Sequence, residues 1–322
     1  MTSARFLRVG VAGVGHLGCH HARLYAGMSG VTLTGVYDIR QDRARDVASL
    51  CGTTVLESLE ALADRVDAVS VAVPTVSHRE VAEVFLSRGL PCLVEKPLAA
   101  DLASARALVA LAAEKNTTLM VGHSERFNPA MVAAREQVHQ PGFVEAQRLG
   151  GFSARSLDVD VVLDLMIHDI DAVLDLVGEK PVSVDAVGVA ALTEKVDLAN
   201  ARLRFPSGCA ANLTASRMSL GKVRKIRIFQ PDAYITVDCA ARESIRYSLV
   251  RGGGPRPEIR GETLALSEGE PLGLELAEFI AALREGRTPR SSGGEGLNAL
   301  EIALRIRDEM NRVEGKPVPP PE

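Results

Sequence analysis

Through the first 122 residues, short β-branched runs alternate with stretches in which apolar residues recur every three or four positions. FLRVGVA (6–12), VTLTGVYD (31–38), AVSVAV (68–73), PCLVE (91–95) and TTLMVG (117–122) predict strands, and 40–50, 76–88 and 102–115 predict amphipathic helices. Such alternation builds right-handed crossovers on a parallel sheet with helices on both faces. A helix is expected at 128–139, and beyond it the pattern changes. Strand-like runs at 143–151, 182–191, 198–205, 209–216, 223–229 and 233–238 follow one another with a single helical interruption. Consecutive strands without crossovers imply a mostly antiparallel sheet, so the second half is expected to be α+β. RGGGPRP (251–257) reads as a loop, 271–285 and 293–313 as helices, and the tail GKPVPPPE as extended chain. The expected division is a first domain over 1–122 and a second over 123–322.

The helical interruption, VVLDLMIHDIDAVLDLVG (161–178), is apolar in nearly every direction yet holds four aspartates and a histidine. At about 100° per residue, Asp164, His168, Asp171 and Asp175 share one narrow stripe, and only Asp169 falls outside it. A helix apolar almost all round is buried, and carboxylates on it need partners or a water-filled cleft. The stripe therefore lines either bulk solvent or a site.

Composition narrows the choice. The 322 residues are 46% hydrophobic, enough for a large core, and 37 basic against 41 acidic residues give a net charge of −4, without support for a nucleic-acid partner. Cysteines 19, 51, 92, 209 and 239 show no CxxC pair, so they read as buried thiols in a reducing compartment, with no disulfide frame and no metal site. No stretch has the length of a membrane span, and MTSARFLRVGVAGVG has too short an apolar run for a signal peptide, so a cytoplasmic location is expected.

The first strand runs into GVGHLG. Gly13, Gly15 and Gly18 have the GxGxxG spacing that allows a tight turn, close approach to a pyrophosphate and packing of helix on strand, so the loop from Gly13 through His16, Leu17 and Gly18 is expected to bind a dinucleotide. Asp38, 20 residues after Gly18 at the end of the second strand, is placed to accept the ribose hydroxyls and favours NAD over NADP. Arg40 and Arg43 follow closely and keep NADP open. LVEKPLAAD (93–101) puts Glu95 and Lys96 at the C-terminal edge of a parallel strand, where ligands of doubly wound sheets bind. A lysine there either orients a substrate hydroxyl or is a surface lysine in a turn.

GVGHLG, VPTVSH (73–78), EKP (95–97), GHSERFNP (122–129) and DLMIHDID (164–171) together resemble, in order, the motifs of the glucose–fructose oxidoreductase, inositol dehydrogenase and MocA family, over essentially the whole chain. The resemblance implies an N-terminal Rossmann domain, a C-terminal α/β domain with an open sheet, and NAD(P)-dependent oxidation or reduction at a sugar or polyol carbon. It implies that Lys96 is the active-site lysine, that Asp164 and His168 are the paired helix residues and that Asp171 is the last acid of that motif. Met166 stands where many members have glycine. Pro97 matches a proline often preceded by a cis peptide. Under this reading Asp164 and His168, four apart, share a face. His168 takes the hydroxyl proton, Lys96 stabilises the alkoxide, and Asp164 bonds a neighbouring hydroxyl or holds the imidazole. Lysine and histidine are open to exchanging the base role.

Pro74, Thr75, His78, Glu95 and Lys96 are expected to bind cofactor, His78 beside the nicotinamide ribose, with capping and packing the competing account of His78. Arg126 and Asn128 resemble positions near substrate or nicotinamide, while Phe127 and Pro129 are expected to pack the hinge and His123 either faces the cleft or is a structural strand-end histidine. His16, His20 and His21 lack carboxylate or cysteine partners at metal-ligand spacing. Arg217, Lys222, Arg224, Lys225 and Arg227 form a basic run that reads as a solvated sheet face or dimer rim; the minority reading has Arg217 meeting a substrate diphosphate. Within the family, GHSERFNPA with DLMIHDID most resembles the branch that oxidises carbon 3 of UDP-N-acetylglucosamine. A free-sugar or inositol dehydrogenase and a non-catalytic dinucleotide sensor are the alternatives. The family assembles through the open sheet, so a homodimer or homotetramer is expected.

Overall fold

The computed structural model describes residues 6–152, 159–250 and 258–313. The loop at 251–257 and the tail after 313 lie outside the described residues.

In the N-terminal part the order is β1 (Leu7–Ala12), α1 (His16–Ala26), β2 (Val31–Tyr37), α2 (Gln41–Cys51), α3 (Leu59–Ala63), β3 (Ala68–Val71), α4 (His78–Leu86), β4 (Cys92–Glu95), α5 (Leu102–Glu114) and β5 (Leu119–Gly122). The strands form a parallel sheet in the order β2-β1-β3-β4-β5. Helices cover both faces, so β3, β4 and β5 are buried at every position; hence their continuous apolar runs. Strand order reverses at β1, and a doubly wound sheet binds its ligands outside the carboxyl ends of the strands at such a point. Short α3 was not expected, since five residues hold too little periodicity to read.

The second part contains α6 (Pro129–Arg135), β6 (Phe143–Leu149), a π-helical turn (Val162–Met166) leading into α7 (Ile167–Val177), then β7 (Ser183–Val189), β8 (Leu198–Arg204), β9 (Ala210–Ser216), β10 (Val223–Gln230), β11 (Ala233–Asp238), β12 (Glu243–Val250), β13 (Glu258–Thr263), α8 (Pro271–Glu285) and α9 (Gly293–Val313). Among the described residues the strands form one sheet, β13-β12-β11-β10-β6-β9-β8-β7, antiparallel except where β6 meets β9. Buried and accessible positions alternate strictly along β6, the mark of a sheet with one covered and one open face. β12 and β13 were not expected. All six β13 positions are exposed, so no buried face imposes an alternation there.

The chain divides into two compact units at Ser124/Glu125, but the first unit also takes Leu272–Leu297 from the end of the chain. That stretch falls within the 123–322 expected for the second domain. Leu276, Phe279 and Ile280 of α8 are buried, and beyond α8 the Val121 N–H donates to Ser291 O at 2.8 Å along the edge of β5. Helix periodicity marks the apolar face of α8 but not the unit that receives it.

Candidate active site

The first unit builds a dinucleotide cradle from the turn after β1. Gly13 has φ +84, and a Cβ there would come within 2.8 Å of the Ala72 backbone; a Cβ on Gly18 would overlap the Gly13 carbonyl oxygen. Both positions admit only glycine. At Gly15, by contrast, a Cβ would meet nothing within 4 Å, so open space lies against the backbone at the start of α1, where helix N–H groups and dipole favour an anion. These residues fit a dinucleotide. Asp38 braces the loop, one oxygen accepting from Val14 N (2.8 Å) and the other from Arg40 N (2.9 Å). Arg43 holds it from the same side, donating to Val14 O (3.0 Å) and Gly15 O (3.3 Å). The arginine suspected of binding a ribose phosphate thus has work within the loop itself. His16 and Leu17 are exposed beside the cradle; Pro74 is exposed and Thr75 begins a short 3-10 turn.

Lys96 follows β4 and is partly accessible, and the Lys96–Pro97 bond is cis. Two neighbours expected to touch cofactor turn their polar atoms into the protein. Glu95, 7% exposed, pairs with His21 Nε2 at 3.0 Å, and its second oxygen accepts from Lys96 N at 3.2 Å. Burial raises the Glu95 carboxyl, but the His21 bond and charge and the Lys96 charge bring it below the ordinary range. His78, 1% exposed, lies between Pro97 O (2.9 Å) and Val73 O (3.0 Å), and burial lowers its pKa against those two carbonyls. The Glu95 and His78 side chains thus form internal ties that hold the lysine loop.

In the second unit the helix from Val161 opens with a π-helical turn, begun by Asp160, whose carboxylate accepts from Val162 N (2.9 Å) and Leu163 N (3.0 Å). The stripe then splits. Asp164 and His168 stay partly accessible, whereas Asp171 is 1% exposed and forms a two-pronged pair with Arg126 at 2.7 and 2.9 Å. Asp175 bridges Arg126 (3.2 Å) and Arg135 (2.7 Å). Asp169, the acid outside the stripe, is held by Arg148 at 2.8 to 3.1 Å, and Arg148 reaches on to Glu125 at 3.0 Å. Burial leaves Asp169 raised even so, while Arg148 is held firmly as a cation by Asp169 and Glu125 against burial. Arg126 and Arg148 therefore hold the buried carboxylates of α7, Asp171 and Asp169, while Asp164 and His168 are partly accessible.

Three expected substrate contacts change role. Arg126, 6% exposed, is spent on Asp171 and Asp175. Asn128, 3% exposed, caps α6 through Ala130 N and donates to Glu125 and Cys239 O. Arg217, 4% exposed, pairs with Asp197 at 3.3 Å and donates to Val159 O and Val196 O. A buried carboxylate competes for a guanidinium more effectively than an open groove does, and sequence spacing carries no sign of it. Arg148 and Glu125 were missed, yet Arg148 had a signal: it sits on the inward alternation Val144, Ala146, Arg148 of β6, where a charge demands a partner.

The oxidoreductase family with an NAD-binding Rossmann fold, Gfo/Idh/MocA, is matched over residues 7–123, and the C-terminal domain of the same family over 132–236. UDP-N-acetylglucosamine 3-dehydrogenase of Acidithiobacillus ferrooxidans is 41% identical over 303 residues, 94% of this chain and 96% of that one. A solved structure of that enzyme superposes with a TM-score of 0.90, covering 95% and 98% of the two chains at 40% identity. Inositol 2-dehydrogenase of Rhizobium meliloti is 28% identical over 92% of this chain and 94% of its own. Levoglucosan dehydrogenase in complex with NADH and levoglucosan shares the fold, with a TM-score of 0.86 at 20% identity and coverage of 95% and 97%. With the open Gly15 cradle, the lysine after β4 and the aspartate–histidine helix on the same chain, these likenesses make the protein a member of the Gfo/Idh/MocA oxidoreductase family.

Proposed function

We propose that the protein is a dehydrogenase that oxidises the C3 hydroxyl of UDP-N-acetylglucosamine to a ketone. The observation that carries the chemistry is that Asp164 and His168, four positions apart, are both partly accessible on a helix where Asp169, Asp171 and Asp175 are held by arginines. The 41% identical relative supports the substrate. In this reading His168 removes the hydroxyl proton and the Lys96 ammonium stabilises the alkoxide oxygen. Asp164 bonds an adjacent hydroxyl or orients the imidazole. Bound nicotinamide dinucleotide supplies the hydride acceptor. NAD is favoured over NADP because the Asp38 carboxylate repels a ribose phosphate and Arg43 is engaged by loop carbonyls.

A free polyol substrate is the second reading, favoured by one observation: Arg217, the residue expected to meet a diphosphate, is buried against Asp197. A reducing cytoplasm suits the five cysteines, all free thiols, and the open face of the eight-stranded sheet suits a homodimer or homotetramer.

The test follows reduction of NAD and NADP by absorbance with UDP-N-acetylglucosamine, N-acetylglucosamine and myo-inositol, adding an aminotransferase to draw off ketone. Turnover of the UDP-sugar alone, lost in His168→Ala, supports the proposal. Turnover of myo-inositol alone transfers the assignment to the polyol reading, and dinucleotide binding without turnover of any of the three overturns both.

A further inference from the structure

The dehydrogenase reading leaves a buried ionisable group on α1 without a task. His21 is fully buried, one turn before Tyr25, whose hydroxyl meets Ser70 Oγ at 2.9 Å. His21 Nε2 stands 3.0 Å from Glu95 Oε1, and Glu95 Oε2 accepts from Lys96 N. The surroundings leave room for this carboxylate: Gly122 pairs with Glu95 across β4 and β5, and a Cβ there would press to 3.0 Å from Glu95 Oε2. The ionisable groups around the carboxylate are His21 from α1, His78 from α4 and Lys96 itself.

We propose that His21 is a positioning residue for Lys96: by holding the Glu95 carboxylate ionised and turned onto the Lys96 backbone, it fixes the lysine at the end of β4. A buried carboxylate that loses its donor takes up a proton or swings out. Either event removes the anionic acceptor of the Lys96 N–H and the negative charge beside its ammonium. The inference rests on the dehydrogenase reading, in which Lys96 acts on the substrate hydroxyl.

Because α1 also carries the dinucleotide cradle at its N-terminus, the two roles open to His21 have different signatures. Loosening α1 weakens dinucleotide binding; misplacing Lys96 lowers turnover at saturation. The experiment uses the full chain and the variants His21→Leu, His21→Gln, Glu95→Gln and Lys96→Ala. It measures NAD affinity by calorimetry, kcat and KM on the substrate the unaltered protein turns over, and titration of the Lys96 amine by competitive acetylation and mass spectrometry.

His21→Leu is expected to lower kcat by about 30-fold while NAD Kd stays within about threefold, and to move the Lys96 amine titration to lower pH, as Glu95→Gln does. His21→Gln keeps a donor near the Nε2 position and is expected to restore kcat. A weakened NAD Kd with unchanged kcat, or a Lys96 titration indifferent to His21→Leu and Glu95→Gln, overturns the proposal. Should His21→Leu not fold, Glu95→Gln must by itself show both the kcat loss and the lysine shift, or the proposal fails. Full turnover by Lys96→Ala instead overturns the role given to the lysine. An inactive Lys96→Ala beside an unaffected His21→Leu overturns only the inference.

Discussion

At Asp197 the N–H groups of Ala191, Leu192 and Thr193 and the Thr193 hydroxyl converge on one carboxylate, at 2.6 to 3.0 Å. Burial alone would raise this acid, yet these donors pull it from 3.8 down to about 2. A carboxyl depressed in the folded state adds stability above its unfolded pKa and loses it as pH falls through the folded value. Asp197 should therefore contribute about 2 kcal/mol above pH ~4 that disappears towards pH ~2. Urea unfolding at several pH values, with Asp197→Asn as the non-titrating reference, checks this; equal pH dependence in the two proteins would contradict it. Arg148 is a second residue with a large expected effect. Its loss strands Asp169 and Glu125, both buried, so Arg148→Met should cost about 3–5 kcal/mol in the same assay. Adding Asp169→Leu should recover part of that loss, because a removed charge costs less than an orphaned one.

Among the elements, the turn Val162–Met166 decides most about the site. A π-helical turn holds more residues than an α turn, so it sets Asp164 at a different angle to His168 than a uniform α-helix would. Deleting Leu165 should let the turn relax to α-helix and rotate Asp164 away from its place relative to His168. The expected outcome is a folded protein, by circular dichroism and unfolding midpoint, with kcat lowered by about 100-fold. Unchanged turnover would show that the angle between the two side chains has no part in activity. The sequence predicted a helix here and its charged stripe, but five residues of π geometry are too few to carry a hydrophobic period of their own. The stripe itself was half legible. Asp164 and His168 are partly accessible, whereas Asp171 is claimed by Arg126, 45 residues away.

Over the whole molecule, the open face of the second sheet carries an aromatic stack, Phe143, Phe229, Tyr234 and Tyr247, with successive ring centroids 5.7, 4.7 and 5.5 Å apart. Phe229 remains 39% exposed. If copies of the chain associate through this face, Phe229→Glu with Tyr234→Glu should lower the mass seen by light scattering to that of one chain. An unaltered oligomer would place the interface elsewhere. The sequence by itself determined the parallel and antiparallel sheets, the glycine cradle with Asp38, the lysine after β4 and the acidic helix, because these rest on local periodicity, backbone sterics and short spacings. Only the tertiary structure decided that α8 returns to the first unit, that His21 serves Glu95, and that Arg126, Asn128 and Arg217 bind the protein's own carboxylates and carbonyls. The physical reason is common to all of these. A buried charge or an apolar face states that it needs a partner, but the choice of partner is made by long-range packing, where many sequence-distant candidates satisfy the same local requirement.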